Sequence, residues 1–246
     1  MAGSPPPSAG PDRRKVVSGL AGALLTGATA FAGPHRAAAQ TIEVDLALVL
    51  AVDCSWSVDA AEFRLQMRGL AEAFRRPEIH RAIADGEAGR ILVAGVQWSH
   101  ERKQAHSVPW TLIASSGDAA DFAAVLDATP REVVEGATAI GAAMEYAADL
   151  LRSSPLAAAR QVIDISSDGR SNRGIRPSAA RDRITAQGMT INGLVILDEW
   201  PTLDLYFQQQ VVGGPDHFVI VAEHYGAYGE AIYRKLLQEI TGPGVA

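Results

Sequence analysis

The sequence predicts an α/β fold: one doubly wound, mostly parallel sheet of six strands, with one antiparallel edge strand and helices on both faces. Three observations predict it. From residue 40 onward, apolar runs alternate with amphipathic segments. Several of the runs are nearly continuous in Val, Ile and Leu, the composition of strands buried on both faces. One connection, "SHERKQAH" (99–106), is too short for a crossover helix, so the strands that flank it form an antiparallel hairpin.

Each element follows in order. "VDLALVLAV" (44–52) is the first strand. Phe63, Met67, Leu70 and Phe74 then recur at i, i+4, i+7 and i+11, the spacing of one helix face, and "DAAE" supplies Asp59 as N-cap with Glu62 three residues on. "RILVAGVQW" (90–98) and "SVPWTLI" (107–113) are the hairpin strands, the latter at an edge. "GDAADFAAVLDA" (117–128) is the second helix. Ile140, Met144, Ala147 and Leu151 form the third. "RQVIDIS" (160–166) is the fourth strand, and "RPSAARDRITAQG" (176–188) a helix closed by Gly188. "TINGLVIL" (190–197) and "HFVIVA" (217–222) complete the sheet. "YGEAIYRKLLQEI" (228–240) ends the pattern, with Ile232, Leu236 and Ile240 on one face. The β-helix-β units imply parallel strands joined by right-handed crossovers.

Residues 40–246 read as one domain, and residues 1–39 read differently. Arg13, Arg14 and Lys15 precede a mildly apolar run to Phe31 and then Ala37-Ala38-Ala39, the layout of an export signal. The Arg13-Arg14 pair favours the twin-arginine type over an ordinary secretory signal. Removing these residues takes away four basic groups and one acidic group, so the formal charge of −6 becomes −9. So acidic a domain excludes nucleic acid as a partner, because it cannot replace phosphate counterions. The single cysteine, Cys54, allows no internal disulfide; it reads as a small buried side chain with no redox role. No second hydrophobic span follows, so the expected product is periplasmic or secreted, without stable membrane insertion.

The chemistry gathers at the carboxyl ends of the strands, where open α/β sheets bind ligands. Asp53, Ser55 and Ser57 follow the first strand, Thr138 precedes the third helix, and Asp168 follows the fourth strand before Gly169. Two carboxylates and three hydroxyls make an all-oxygen set that suits a hard cation, Mg²⁺ above all, with Mn²⁺ or Ca²⁺ as alternatives. With Asp59 capping the first helix, the Ser57 hydroxyl is free to face the cleft. Trp56, between two of these residues, is placed to line it, whereas Trp98, Trp110 and Trp200 read as core or rim packing. Arg170 and Asn172 either orient an acidic ligand or are solvated loop residues. His100, His106, His217 and His224 lack metal-ligand spacing.

Asp53-Cys54-Ser55-Trp56-Ser57 resembles the D-x-S-x-S element of von Willebrand factor A-like (vWA) domains, and Thr138 and Asp168 fall where that family completes its metal-ion-dependent adhesion site. The resemblance covers roughly residues 43–240 and includes small exported bacterial members of the fold. "SDG" stands where the family often has "TDG", which keeps a hydroxyl. The resemblance implies a Rossmann-like vWA fold, a Mg²⁺ ion held by Asp53, Ser55, Ser57, Thr138 and Asp168, and a protein partner whose acidic side chain completes the ion's shell. It implies no catalysis.

Two other readings compete. A Mg²⁺-dependent phosphohydrolase of haloacid-dehalogenase-like type needs a second acid two residues after its nucleophile, where Ser55 stands. It also needs a basic group near the phosphate; Lys103 and Lys235 are poorly placed, and an arginine would have to serve. The other reading is a scaffold that keeps the fold without using a metal, which the full set of five oxygen ligands opposes.

Overall fold

A computed structural model describes residues 43–242; the signal expected over residues 1–39 lies outside them. At its centre, β1 (Val44–Asp53) pairs in parallel with β2 (Ile91–Trp98) on one side and β4 (Ala158–Ser167) on the other. β3 (Gln104–Ile113) lies antiparallel to β2 at one edge, and β5 (Thr190–Ile196) and β6 (Val219–Ala222) extend the parallel side. The order is β3-β2-β1-β4-β5-β6. This is the predicted six-stranded architecture, including the hairpin.

Strand alternation divides the core in two. Leu46, Leu48, Leu50 and Val52 face α1 (Ala60–Phe74), α2 (Pro77–Ala84), α3 (Ser116–Ala128) and α7 (Tyr228–Thr241). Ala47, Val49 and Ala51 face α4 (Ile140–Arg152), α5 (Pro177–Thr185) and α6 (Leu203–Gln210). The second face is built of small residues where α4 lies, with Ala47 and Ala51 in one cluster with Ala143, Ala147 and Ala148. Close approach continues at Gly141: a Cβ there would sit 2.4 Å from the backbone oxygen of Ile175. Asp53 shares the parity of Ala47, Val49 and Ala51, so the sheet's pleat aims it toward the α4 side.

Beneath α7 the core holds charge. The fully buried Lys235 places Nζ 2.8 Å from Asp164 Oδ1 on β4 and also pairs with Glu239, which accepts from Asn192 Nδ2 at 2.9 Å. Asp164 Oδ2 and Glu239 Oε2 are buried without a hydrogen-bond partner.

Some local expectations need correction. The sequence pattern omits α2 and α6, so Thr138 precedes the fourth helix and not the third. Both omitted helices have eight residues and a short apolar repeat, Ile79 with Ile83 and Leu203 with Phe207. β3 starts at Gln104, earlier than the expected 107, because an edge strand tolerates the polar "QAH". Its register with β2 shifts around Gly95, whose missing Cβ leaves room for Val108, and Pro109 follows within the strand. Among the described residues, no helix is long and apolar enough to cross a membrane.

Candidate metal centre

The chain leaves β1 toward β2 on one side, and β4 returns on the other, so the carboxyl ends of β1 and β4 flank a crevice at the switch point of the sheet. Asp53 ends β1 there with none of its surface exposed. Val52 is in register with Ser166, which brings Ser167 beside Asp53. The Ser167 hydroxyl donates to Asp53 Oδ2, and the Ser55 amide turns back to donate to Oδ1 at 2.7 Å. Between them Cys54 points into the core, with Sγ 3.9 Å from Gln97 Oε1; burial first, then the Asp53 charge, pushes its thiol well above the usual value. A thiol so raised is a poor nucleophile.

The loop after β1 then meets the loop after β4. Ser55 Oγ lies 3.3 Å from Ser57 Oγ, and the Ser57 hydroxyl donates to Asp168 Oδ1 at 2.7 Å. Ser57 is free to do so because Asp59 caps α1, accepting from the amides of Ala61 and Glu62 at 2.6 and 2.8 Å, while Glu62 Oε2 accepts from the Asp59 amide. The other oxygen of Asp168, itself 1% exposed, accepts from the Tyr225 hydroxyl at 2.9 Å. Tyr225 belongs to the 3-10 turn, Tyr225–Ala227, that leads into α7.

Thr138 approaches from the α4 side. Asn172 clamps its backbone: Oδ1 accepts from the Thr138 amide at 3.0 Å, and the Asn172 amide donates to the Thr138 carbonyl at 2.9 Å. A Cβ built on Gly169 would lie 3.7 Å from Thr138 Oγ1, which places that hydroxyl at the turn next to Asp168. The structure thus links Asp53, Ser55, Ser57 and Asp168 through one hydrogen-bonded chain, with Thr138 at its border. Asn172 positions Thr138. Arg170 is exposed at the rim, and the expected lining residue Trp56 borders the cleft together with Trp200, for which the sequence offered core or rim packing.

The electrostatics of this arrangement are unfavourable without a cation. Burial, and then the nearby Asp168 carboxylate, push Asp53 from its ordinary 3.8 up to about 7, against the hydrogen bonds of Ser167 and Ser55. The hydrogen-bond partners of the two carboxyl groups are hydroxyls and one amide; none is basic. Buried carboxylates without a counter-charge are costly, and a divalent cation removes that cost. Among the described residues, no group of three or more His, Cys, Asp or Glu stands together, so the further donors here are hydroxyls, which fit a hard ion.

Sequence reasoning missed Ser167 and Tyr225. The alternation in "DISSDG" carries the signal for Ser167, since Ser166 before it is in register with Val52, the residue before Asp53. Tyr225 gives a weaker one, a polar group three residues past the end of β6. The two lysines weighed for a phosphohydrolase are engaged elsewhere: Lys103 Nζ donates to the carbonyls of Val134 and Glu135, and Lys235 sits in the ion cluster under α7.

Solved structures share this architecture. Proximal thread matrix protein 1 from the mussel byssus superimposes at a TM-score of 0.60 and 14% identity, over 82% of this chain and 50% of that one. A structure of the same mussel protein with a zinc-occupied MIDAS motif matches at 0.53, also at 14% identity, over 82% of this chain and 50% of that one. A von Willebrand factor type A protein from Catenulispora acidiphila gives 0.53 at 17% identity, over 82% of this chain and 44% of that one. The vWF domain of the type V pili tip protein Mfa5 from Porphyromonas gingivalis gives 0.53 at 9%, over 84% and 99%. The chain therefore spans half or less of the mussel and Catenulispora proteins, and identities this low show a common fold. A search of curated proteins finds no match. A family model described as "Protein of unknown function (DUF1194)" matches residues 43–244, and the chain belongs to that family, here with a von Willebrand factor A-like fold.

Proposed function

We propose that the protein is an exported, non-catalytic recognition module. Asp53, Ser55, Ser57, Thr138 and Asp168 hold a Mg²⁺ ion, and an acidic side chain of a protein partner completes its shell. One observation carries the reading: two carboxyl groups, one at the end of β1 and one just past the end of β4, are buried together and joined by hydroxyls. Among the described residues no basic side chain hydrogen-bonds to either, the nearby Arg131 guanidinium being taken up by the carbonyls of Cys54 and Ser55. The ion would supply the missing positive charge and a coordination position for the partner. The protein's own residues set the rest. Ser167 and the Ser55 amide fix the Asp53 carboxyl, Tyr225 fixes Asp168, and Asn172 fixes the backbone at Thr138. The zinc-occupied motif of the mussel protein supports a divalent cation at this place in the fold, and the all-oxygen donor set favours Mg²⁺. The pili tip protein supports a protein partner and a location outside the cytoplasm, as does the signal expected over residues 1–39.

Thermal unfolding of the purified protein in EDTA, Mg²⁺ or Mn²⁺, for wild type and Asp53→Ala, tests the reading. Metal at a hundredfold above its Kd stabilises the native state by about 2.7 kcal/mol. At about 2–4 °C per kcal/mol for a chain of this size, the wild-type midpoint should rise by about 5–11 °C. Asp53→Ala should not respond. A wild type indifferent to every divalent cation, or a mutant that responds equally, would leave only a scaffold with this fold.

A further inference from the structure

Arg170, two residues beyond Asp168, is exposed but held in place. Its guanidinium carbon lies 5.2 Å from the Trp200 ring centroid and 5.5 Å from that of Tyr206, and Nη2 donates to Thr202 Oγ1 at 2.9 Å. That bond uses one of its five N–H donors. Among the described residues Arg170 forms no ion pair with an acidic side chain, which is equally true of Arg64, Arg102 and Arg131; what sets it apart is that it is the arginine lining the cleft beside the candidate metal centre. In an acidic chain, an arginine already oriented by aromatic rings and left without a carboxylate is suited to take one from outside. The cleft it borders, about 730 Å³, joins it to Ser57 and Thr138 of the metal centre. Trp56, 73% exposed, and Trp200, 44% exposed, line the same space. Exposed tryptophans beside an arginine have the composition of an interface anchor. Glu199 also lines the cleft and opposes an incoming anion.

We infer that the partner is an acidic peptide segment bearing two carboxylates, one for the metal ion and one for the Arg170 guanidinium, with its apolar atoms against Trp56 and Trp200. This rests on the metal reading above. Charge complementarity selects the occupant: the ion and Arg170 present two positive loci along one cleft, which a single acidic residue leaves half unmet.

The test pans a random peptide display library on the full-length protein in Mg²⁺ and elutes with EDTA. The eluted peptides should be enriched in paired acidic residues. For a synthetic winner, changing the second acid to its amide should weaken binding to wild type about tenfold, equal to 1.4 kcal/mol. The same change should cost Arg170→Gln nothing, because the pair is already broken. Glu199→Gln should bind the diacid peptide more tightly than wild type. Winners with a single acid, or an amide change that weakens binding to wild type and Arg170→Gln equally, would overturn the inference. So would Mg²⁺-dependent retention on an immobilised uronate polysaccharide in place of any peptide. A failure of the metal reading is separately visible, as a wild-type unfolding midpoint that ignores Mg²⁺.

Discussion

Replacing Glu239 by Gln should make the protein more stable in mild alkali while leaving it unchanged in acid. Lys235 is the one cation in a buried cluster with two carboxyl groups, Asp164 and Glu239. Burial, and to a lesser degree the Asp164 charge, push Glu239 from its ordinary 4.5 up to about 7, against the attraction of Lys235. The unfolded chain releases this proton near 4.5 and the folded chain near 7. Between those values the folded state binds more protons, so its stability falls as pH rises. The contribution is complete below the lower value and gone above the upper one. At 1.36 kcal/mol per pH unit, the interval corresponds to about 3 kcal/mol. Glutamine keeps the side chain's shape and an oxygen for Lys235 and Asn192, but it has no proton to lose. Urea unfolding followed by tryptophan fluorescence should give equal stabilities for the two proteins near pH 4.5. By about pH 8 the variant should lead by about 3 kcal/mol. Taking the difference between the proteins cancels the parallel titration of Asp53. A difference that stays flat across this range would refute the shared-lysine account.

Two further substitutions probe what holds the candidate metal centre. Gly141→Ala sets a methyl group 2.4 Å from the Ile175 carbonyl oxygen, forcing α4 outward. It should cost about 1–3 kcal/mol in urea and blunt the Mg²⁺ response, since Thr138 sits just before that helix; wild-type stability would show that the close packing is not needed. Tyr225→Phe removes the hydroxyl bound to Asp168 Oδ2 and should cost about 1–3 kcal/mol in EDTA, measured by urea unfolding. No loss would mean that this bond does nothing to hold the carboxyl group.

What the sequence revealed and what it hid follow from how far each signal reaches along the chain. Continuous apolar runs such as Val44–Val52 identify buried strands because no polar alternation interrupts them, and the short link before Gln104 dictates a hairpin. α2 and α6 escaped because two apolar residues four apart are too few to distinguish a short helix from a loop. At the candidate metal centre, Asp53, Ser55 and Ser57 stand within five residues, so their grouping is visible locally. Thr138 and Asp168 are recognisable only once strand ends are laid side by side. Ser167 needed the register of β4 on β1, and Tyr225 crosses from the far side of the sheet, joined to Asp168 by packing that no local pattern encodes. For Trp200 the sequence left core and rim open, because both use the same residue type, and its exposure places it at the rim.

The two borders of the sheet have a consequence for how this molecule behaves in a crowd. At one, Pro109 has no amide to offer and the irregularity around Gly95 breaks the rhythm of the outer strand; at the other, β6 runs for only four residues. Unpaired strands are the usual templates on which copies of a protein stack into insoluble aggregates, and proline, bulges and brevity are the usual defences. With both flanks unfit for such stacking, neither edge of the sheet offers a second copy a regular strand to extend.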